Sequence, residues 1–215
     1  MSQGPPEGLG SRDRILWAAA SMLGEGPGAA LSVRGVAARA GVSTGSLRHH
    51  FPTQRELMDA VLAIVYDMVL PEGSLHDSSI PARERLLSCL RRLLAPEGAE
   101  AAGGAREAWL TVVERYIRPE PTAAIRAEYA AIDRELHRRV EYCLNVLRDE
   151  GAVPPGDNAR RARFLMTVVD GVSIAQALPS EAADPRTERE VLGMAVDCVL
   201  GPGAPGHPGG GAGAG

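Results

Sequence analysis

The sequence of 215 residues contains no lysine, so all 23 of its basic residues are arginine. Aromatic residues are also scarce, at 4% of the chain, and any core must be built from leucine, valine, isoleucine and alanine. The apolar fraction of 45% and the charged fraction of 23% are ordinary for a globular protein and exclude a wholly disordered chain. A formal net charge of -4 argues against a protein that coats nucleic acid through bulk positive charge. It does not exclude a local basic surface.

The three cysteines, Cys89, Cys143 and Cys198, are odd in number and far apart. None belongs to a CxxC pair or lies near a histidine at metal-ligand spacing, so each is predicted to be a reduced, buried thiol, and no metal site is expected. No apolar run reaches the roughly 18 residues of a transmembrane helix, and residues 1–10 lack the features of a signal peptide. These absences predict a cytoplasmic protein without a membrane partner.

Motifs of catalysis and cofactor binding are missing as well. The chain has no P-loop, no GxGxxG and no GxSxG pattern. His49 and His50 are adjacent on a predicted helix, where their side chains point about 100° apart and are badly placed to chelate one metal. We therefore predict no catalytic residues, no cofactor and no enzymatic activity.

Apolar residues recur at steps of three and four along most of the chain and almost nowhere alternate as they do in strands. The longest such run extends from Ile125 to Leu147, begins after Pro121 and ends before Gly151. Residues 1–10 and 201–215 are too rich in glycine, alanine and proline to fold and are predicted to be disordered tails. The predicted fold class is all-α.

Residues 31–51 carry a more specific pattern. Ser32 can cap a short helix, Gly41 can end it with a tight turn, and Ser43 can cap a second short helix. Leu47 and, four residues later, Phe51 would face the core from that second helix. Two short helices joined by a turn of three or four residues with a glycine form a helix-turn-helix.

The face of the second helix opposite Leu47 is small at its start and cationic towards its end. Such a face can approach a nucleic acid, donate to phosphates and base edges, and place an arginine on guanine in the major groove. Residues 11–55 contain six arginines against two acidic residues, so this part of the chain is basic. Thr53 can cap the following helix, whose first amides would suit a phosphate.

The motif resembles the DNA-binding domain of TetR-family transcriptional regulators. The resemblance lies in Arg14-Ile15-Leu16, Leu31-Ser32-Val33-Arg34, Ala40-Gly41-Val42-Ser43, Gly45-Ser46-Leu47-Arg48-His49-His50-Phe51-Pro52 and Glu56-Leu57. It implies that residues 43–50 form the recognition helix, and that the DNA contacts come from Ser32, Arg34, Ser43, Thr44, Gly45, Ser46, Arg48, His49, His50 and Thr53. Arg48 stands where an aromatic residue is common, and His49 stands where a second tyrosine or an arginine is frequent. Gln54 replaces a frequent lysine after Phe-Pro, which removes one expected phosphate contact.

The same resemblance implies a regulatory half over residues 57–200, after a DNA-binding domain over residues 11–56. Residues 71–200 are acidic, with 17 arginines against 21 acidic residues, and are not expected to touch DNA. A pocket for an unknown small-molecule effector is expected among the middle helices, with Trp109, Tyr116, Tyr129 and Met166 as candidates. A homodimer interface is expected on the last two helices, at Phe164, Val168, Val172, Ala175, Val191, Ala195 and Val199.

The leading hypothesis is a homodimeric, ligand-responsive regulator, most often a repressor in families of this kind, that binds a palindromic operator in double-stranded DNA. The alternative is an all-α small-molecule-binding protein whose helical hairpin resembles a DNA reader by chance. An enzyme of unrecognised mechanism is a third and weaker possibility.

Overall fold

The computed structural model describes residues 5–6, 8–24, 32–69, 74–94, 104–179 and 184–200. Every regular element in these ranges is helical, which confirms the all-α prediction. The C-terminal tail predicted over residues 201–215 lies outside the described residues, as does half of the predicted N-terminal tail, residues 1–4 and 7. Within the described part of the chain, no helix is both long enough and apolar enough to cross a membrane.

The helices are numbered in chain order. They are α1 (Ser11–Gly24), α2 (Val33–Ala40), α3 (Thr44–His50), α4 (Gln54–Val69), α5 (Ala82–Leu94), α6 (Gly104–Val112), a π-helical turn (Val113–Ile117), α7 (Ala123–Asp149), α8 (Asn158–Ala177) and α9 (Pro185–Val199). The predicted long helix is α7, which ends before Gly151 at a positive φ of 82°.

Helices α8 and α9 begin before Phe164 and Val191, the first residues that were predicted at the dimer interface on each. Asp157 accepts a hydrogen bond from the backbone N–H of Arg160 and caps α8, while Asp184 caps α9 just before Pro185. The first turns of both helices are mostly polar, although Asn158 is buried, so the periodicity of apolar residues detects only the later turns.

The chain divides into two compact units. The first comprises Met1–Met68 and Arg115–Glu135, and the second comprises Val69–Glu114 and Leu136–Gly215. Helix α7 thus contributes its first half to one unit and its second half to the other. The functional boundary predicted after residue 56 stays a prediction; the structural boundary lies after Met68.

Each unit has its own hydrophobic core. In the first unit, α1 to α4 and the start of α7 share a core that includes Ile15, Val36, Leu47, Leu57, Val61 and Ala131. In the second, α5, the end of α7, α8 and α9 share a core that includes Leu86, Leu90, Leu144, Leu147, Leu165, Leu192 and Val196. The aliphatic composition predicted from the scarcity of aromatic residues is confirmed in both.

The cysteine prediction is only partly right. Cys143 is buried and Cys89 is half-buried, but Cys198 is exposed on α9, so the expectation of a buried thiol is wrong there. None of the three forms a disulfide bond in this structure. Helical spacing places Cys198 within an apolar pattern, but part of that pattern on α9 faces outward, beside the exposed Met194.

Candidate DNA interface

Helices α2 and α3 are defined by local hydrogen bonds. The hydroxyl oxygens of Ser32 and Ser43 accept bonds of 3.0 Å from the backbone N–H groups of Gly35 and Ser46, respectively. Gly41 has φ 63° and ψ 36°, a left-handed conformation that costs glycine little. These features confirm the two caps and the turn predicted from sequence.

Leu47 and Phe51 hold α3 against the rest of the first unit. Their exposed fractions are 1% and 5%, and they belong to the same core as Val36 of α2. The guanidinium carbon of Arg12 lies 5.5 Å from the centre of the Phe51 ring, a distance typical of a cation–π contact. Because these residues fix the buried side of α3, its opposite side is held in a defined orientation towards solvent.

Most of the predicted DNA-contacting residues lie on this solvent side. The exposed ones are Ser32, Arg34, Ser43, Thr44, Gly45, Arg48, His49 and Thr53, whereas Ser46 and His50 are half-buried. Four of them, together with Val33, line one shallow depression of about 400 Å³; they are Ser32, Arg34, Thr44 and Arg48. The structure therefore joins the start of α2 and the exposed face of α3 into one polar surface with two arginines. We call the ten predicted DNA-contacting residues together the α2–α3 surface.

Two glycines in this region have different surroundings. A Cβ built on Gly35 would lie 2.9 Å from the Ser32 hydroxyl and 3.3 Å from Met22 Cε, so this glycine is required by the cap and the core. A Cβ on Gly45 would meet only the Ser43 hydroxyl, at 3.7 Å. The fold therefore has no need of a glycine at position 45, and the open space above it suits the close approach of another molecule. The sequence analysis missed the role of Gly35.

The start of α4 carries a charge that the sequence analysis did not consider. Thr53 Oγ1 accepts a bond of 3.1 Å from the backbone N–H of Glu56, which confirms the predicted cap. The same hydroxyl donates to Glu56 Oε1 at 2.8 Å. The Glu56 carboxylate is exposed in the first turn, so a phosphate at this helix end would meet a negative charge beside the favourable amides.

The four residues predicted to line an effector pocket are divided between the two units. In the first, the rings of Tyr116 and Tyr129 have centroids 5.2 Å apart. In the second, Trp109 Nε1 donates to Ser173 Oγ at 2.8 Å, and Met166 is buried in the core. Their role as effector contacts stays a prediction.

Tyr116 belongs to a polar cluster in the first unit. Its hydroxyl donates to Glu128 Oε1 at 2.6 Å, and Arg115 Nε donates to the same oxygen at 2.7 Å. Burial, reinforced by the bond to Glu128, raises the pKa of Tyr116 above its ordinary value. Glu128 also lines a groove of about 560 Å³, whose other lining residues are Gln54, Arg55, Met58, Ala123, Ala124, Ala127, Ala131 and Arg134. The alanines at helical spacing in α7 were the available sequence signal for this groove.

The predicted dimer residues range from buried to exposed in the isolated chain. Val172, Ala195 and Val199 are buried in the second core, and Val168 and Ala175 are half-buried. Phe164 and Val191 are exposed, at 43% and 38%. Three apolar residues that were not predicted at the interface are also exposed, namely Ile174 of α8, Leu178 directly after it and Met194 of α9. We call these five exposed residues the α8–α9 apolar surface.

Among the residues that the structure describes, no group of three or more histidine, cysteine, aspartate or glutamate side chains is arranged to hold a metal ion.

Comparison with protein families gives two matches. Residues 15–61 match the model described as "Bacterial regulatory proteins, tetR family". Residues 81–201, more than half of the chain, match the model described as "BetI-type transcriptional repressor, C-terminal". No curated protein matches the sequence.

Solved structures of low sequence identity also resemble the chain. A TetR transcription regulator from Haloarcula marismortui is 20% identical, with 89% of this chain and 98% of that one covered and a TM-score of 0.46. A putative TetR-family regulator from Rhodococcus sp. is 24% identical, with 89% and 98% covered and a TM-score of 0.49. A putative regulator from Saccharomonospora viridis in complex with choline is 19% identical, with 89% and 98% covered and a TM-score of 0.49.

Proposed function

Because this chain belongs to the TetR family of DNA-binding transcriptional regulators, we propose that it is a ligand-responsive repressor that binds a palindromic operator as a homodimer. The observation that carries the proposal is the α2–α3 surface, in which Ser32, Arg34, Thr44 and Arg48 line one depression. The description of the second family model, a transcriptional repressor, supports the sign of regulation. Members of this family are regulators and not enzymes. A protein that acts on operator DNA would be located in the cytoplasm.

In this proposal α3 enters the major groove and the start of α2 approaches the backbone. Arg48 is exposed near the end of α3, where its guanidinium can make two parallel hydrogen bonds to guanine. Arg34 and the Ser32 and Thr44 hydroxyls can donate to phosphate oxygens, which fixes the register without reading sequence. His49, on the same side, extends this surface.

The test begins with selection of bound duplexes from a random DNA pool, which identifies the operator. Arg48→Ala should then weaken operator binding by about 1–3 kcal/mol and relax preference at one base pair. Arg106→Ala, which removes an exposed arginine from α6 in the second unit, is the matched control and should bind as the wild type does. If the wild type bound selected and scrambled duplexes equally, the proposal would fail, and a ligand-binding protein without a DNA role would be favoured.

The homodimer is supported by the α8–α9 apolar surface. Met194 is 70% exposed and Leu178 is 53% exposed, a large apolar area for a water-facing surface. Two copies related by a twofold axis could bury these helices as a four-helix bundle. Met194→Asp should shift the protein towards monomer in sedimentation, whereas Leu110→Asp, on the exposed side of α6, should not. Identical sedimentation of the wild type and Met194→Asp would contradict this interface.

Effector binding is proposed at Tyr116 and Tyr129. Their paired rings offer an apolar contact. The Tyr116 hydroxyl offers a polar one, because it is bonded to Glu128, which lines the groove of about 560 Å³. A metabolite panel can be screened for compounds that release the wild type from its operator. A compound contacting this pair should lose potency against Tyr129→Ala and keep it against Tyr142→Ala, which removes another exposed tyrosine, in the second unit. Equal potency against both variants would exclude the site; Trp109 and Met166 would then be examined next.

A further inference from the structure

Two cysteines far apart in sequence meet inside the second unit. Cys89 lies on α5 and Cys143 on the second half of α7, 54 positions later. Their Sγ atoms are 2.7 Å apart, compared with about 2.05 Å in a disulfide bond. The two sulfur atoms are not joined by a disulfide bond in this structure. A small movement of the side chains would therefore bring the two sulfur atoms to bonding distance.

The two thiols differ in exposure and in their surroundings. Cys143 is buried, at 6% exposure, whereas Cys89 is half-buried. The hydrogen bond with Cys143 lowers the pKa of Cys89; burial opposes this effect, and the guanidinium groups of Arg92 and Arg139 add to it. Cys89 is thus the less buried residue of the pair, and its neighbours favour its thiolate; both properties favour oxidation of a cysteine.

We propose that Cys89 and Cys143 form a hydroperoxide-sensitive modification site, in which oxidation joins α5 to α7 by an intramolecular disulfide. The proposal rests on the contact between the two sulfur atoms and on the partial exposure of Cys89. It does not depend on DNA binding, because neither residue belongs to the α2–α3 surface. The oxidant class is a hydroperoxide, which supplies two oxidising equivalents.

The chemistry takes two steps. The Cys89 thiolate attacks an oxygen of the hydroperoxide, the O–O bond breaks, and the leaving oxygen takes a proton and departs as an alcohol or as water. Cys89 is then a sulfenic acid. The Cys143 sulfur attacks the Cys89 sulfur, the S–O bond breaks, and the released hydroxide takes the thiol proton and leaves as water. The two thiols together lose two electrons and the hydroperoxide gains them.

The disulfide would have a measurable effect on the second unit. It would close a loop between positions 89 and 143, which restricts the unfolded chain and should raise the melting temperature by several degrees. Since the bond would be reached by small movements, it should form without unfolding. A dithiol reductant should reverse it.

The experiment uses the full chain with Cys198→Ser, which removes the exposed third thiol. Hydrogen peroxide should lower its mass by two hydrogen atoms, and non-reducing peptide mapping should show a peptide that links Cys89 to Cys143. In the further variant Cys143→Ser, the Cys89 sulfenic acid has no partner and should be trapped by dimedone. The melting temperature of the two-cysteine protein should rise on oxidation and return on treatment with dithiothreitol.

The decisive comparison is with Cys198 in the unaltered protein. If a peroxide dose that oxidises exposed Cys198 leaves Cys89 and Cys143 fully reactive with iodoacetamide after denaturation, the proposal is wrong. Conversion of Cys89 to a sulfinic acid without a cross-linked peptide would also overturn it. Peptide mapping of the unaltered protein decides the question even where Cys143→Ser does not fold.

Discussion

Arg85 and Glu150 form an ion pair whose partners differ sharply in exposure. The Arg85 side chain is 4% exposed and that of Glu150 is 35% exposed. Arg85 Nη1 donates to Glu150 Oε1 at 3.0 Å and to the Leu75 carbonyl at 2.7 Å, and Nη2 donates to Glu150 Oε2. The guanidinium is thus held in the second unit by one carboxylate and one backbone oxygen.

Because of this difference in exposure, removal of Glu150 should lower the free energy of unfolding more than removal of Arg85 does. Glu150→Ala leaves a buried guanidinium without its carboxylate and should destabilise the protein by about 3 kcal/mol. Arg85→Met keeps most of the buried stem and leaves a carboxylate that water can reach, so it should cost about 1 kcal/mol. Urea unfolding of the two variants measures the difference.

Two single variants, Arg186→Ala and Glu190→Ala, serve as controls. Each removes one partner of an exposed ion pair on α9. Both side chains there are more than 60% exposed, and each change should cost under about 1 kcal/mol. Equal destabilisation by Glu150→Ala and Arg85→Met would contradict the interpretation that burial of the guanidinium sets the cost.

The same ion pair predicts a dependence of stability on pH. The bond from Arg85 lowers the pKa of Glu150 below its ordinary value of 4.5. As the pH falls, the unfolded state therefore binds a proton at Glu150 at a higher pH than the folded state does. The stabilisation that the ion pair gives to the folded state is complete above about pH 5 and is lost as the pH falls through the lowered pKa. The free-energy difference between wild type and Glu150→Gln should shrink between pH 5 and pH 3.

A second carboxyl with a lowered pKa, that of Asp77, does not disturb this comparison. Its pKa is also lowered, chiefly by hydrogen bonds from Ser79, so it too contributes to acid destabilisation. Because Asp77 is present in both proteins, its contribution cancels in the difference between wild type and Glu150→Gln. A difference that stayed constant from pH 7 to pH 3 would show that the Arg85 pair has no role in the acid response.

The DNA-binding motif could be predicted from sequence because its determinants are local. The caps at Ser32 and Ser43 each join residues three positions apart, and the turn at Gly41 depends on the backbone of one residue. Leu47 and Phe51 were correctly assigned to the core because a short helix has one apolar side. Each of these features can be read within a window of about ten residues.

The features that sequence analysis missed depend on distant contacts. Cys89 and Cys143 have no motif in common, and only the packing of α5 on α7 brings their sulfur atoms together. Met194 fits an apolar period on α9 as well as Leu192 does, yet one is 70% exposed and the other is buried. Periodicity shows that a helix has an apolar side. The neighbouring helices determine how much of that side is buried and how much remains exposed to solvent.

Two glycines of the motif should respond to alanine in different ways. Gly41→Ala places a side chain at φ 63° and should cost about 1 kcal/mol of stability. Gly45→Ala lies within α3, where the added methyl meets only Ser43 Oγ at 3.7 Å, so stability should be unchanged or slightly higher. Operator affinity should nevertheless fall about tenfold or more, because the methyl occupies space needed by the DNA backbone.

Thermal melting and mobility-shift titration of both glycine variants separate these effects. The expected pattern is a less stable Gly41→Ala whose folded fraction still binds the operator, and a fully stable Gly45→Ala that binds poorly. Wild-type affinity in Gly45→Ala would mean that this part of α3 does not approach the DNA closely.

Glu56 should weaken DNA binding in the natural protein. Its carboxylate lies at the start of α4, bonded to the Thr53 hydroxyl, where the helix amides would otherwise attract a phosphate. Glu56→Gln keeps the size of the side chain and removes the charge, so operator affinity should rise about two- to fivefold at low salt and less at high salt. Stability should fall slightly, by about 0.3–1 kcal/mol, because the negative charge favours the helix N-terminus.

The matched control is Glu107→Gln, which removes an acidic residue from the first turn of α6 in the second unit; it should share the small loss of stability and leave affinity unchanged. An affinity gain of equal size in both variants would reflect net charge alone, and an unchanged affinity for Glu56→Gln would place the start of α4 away from the DNA backbone.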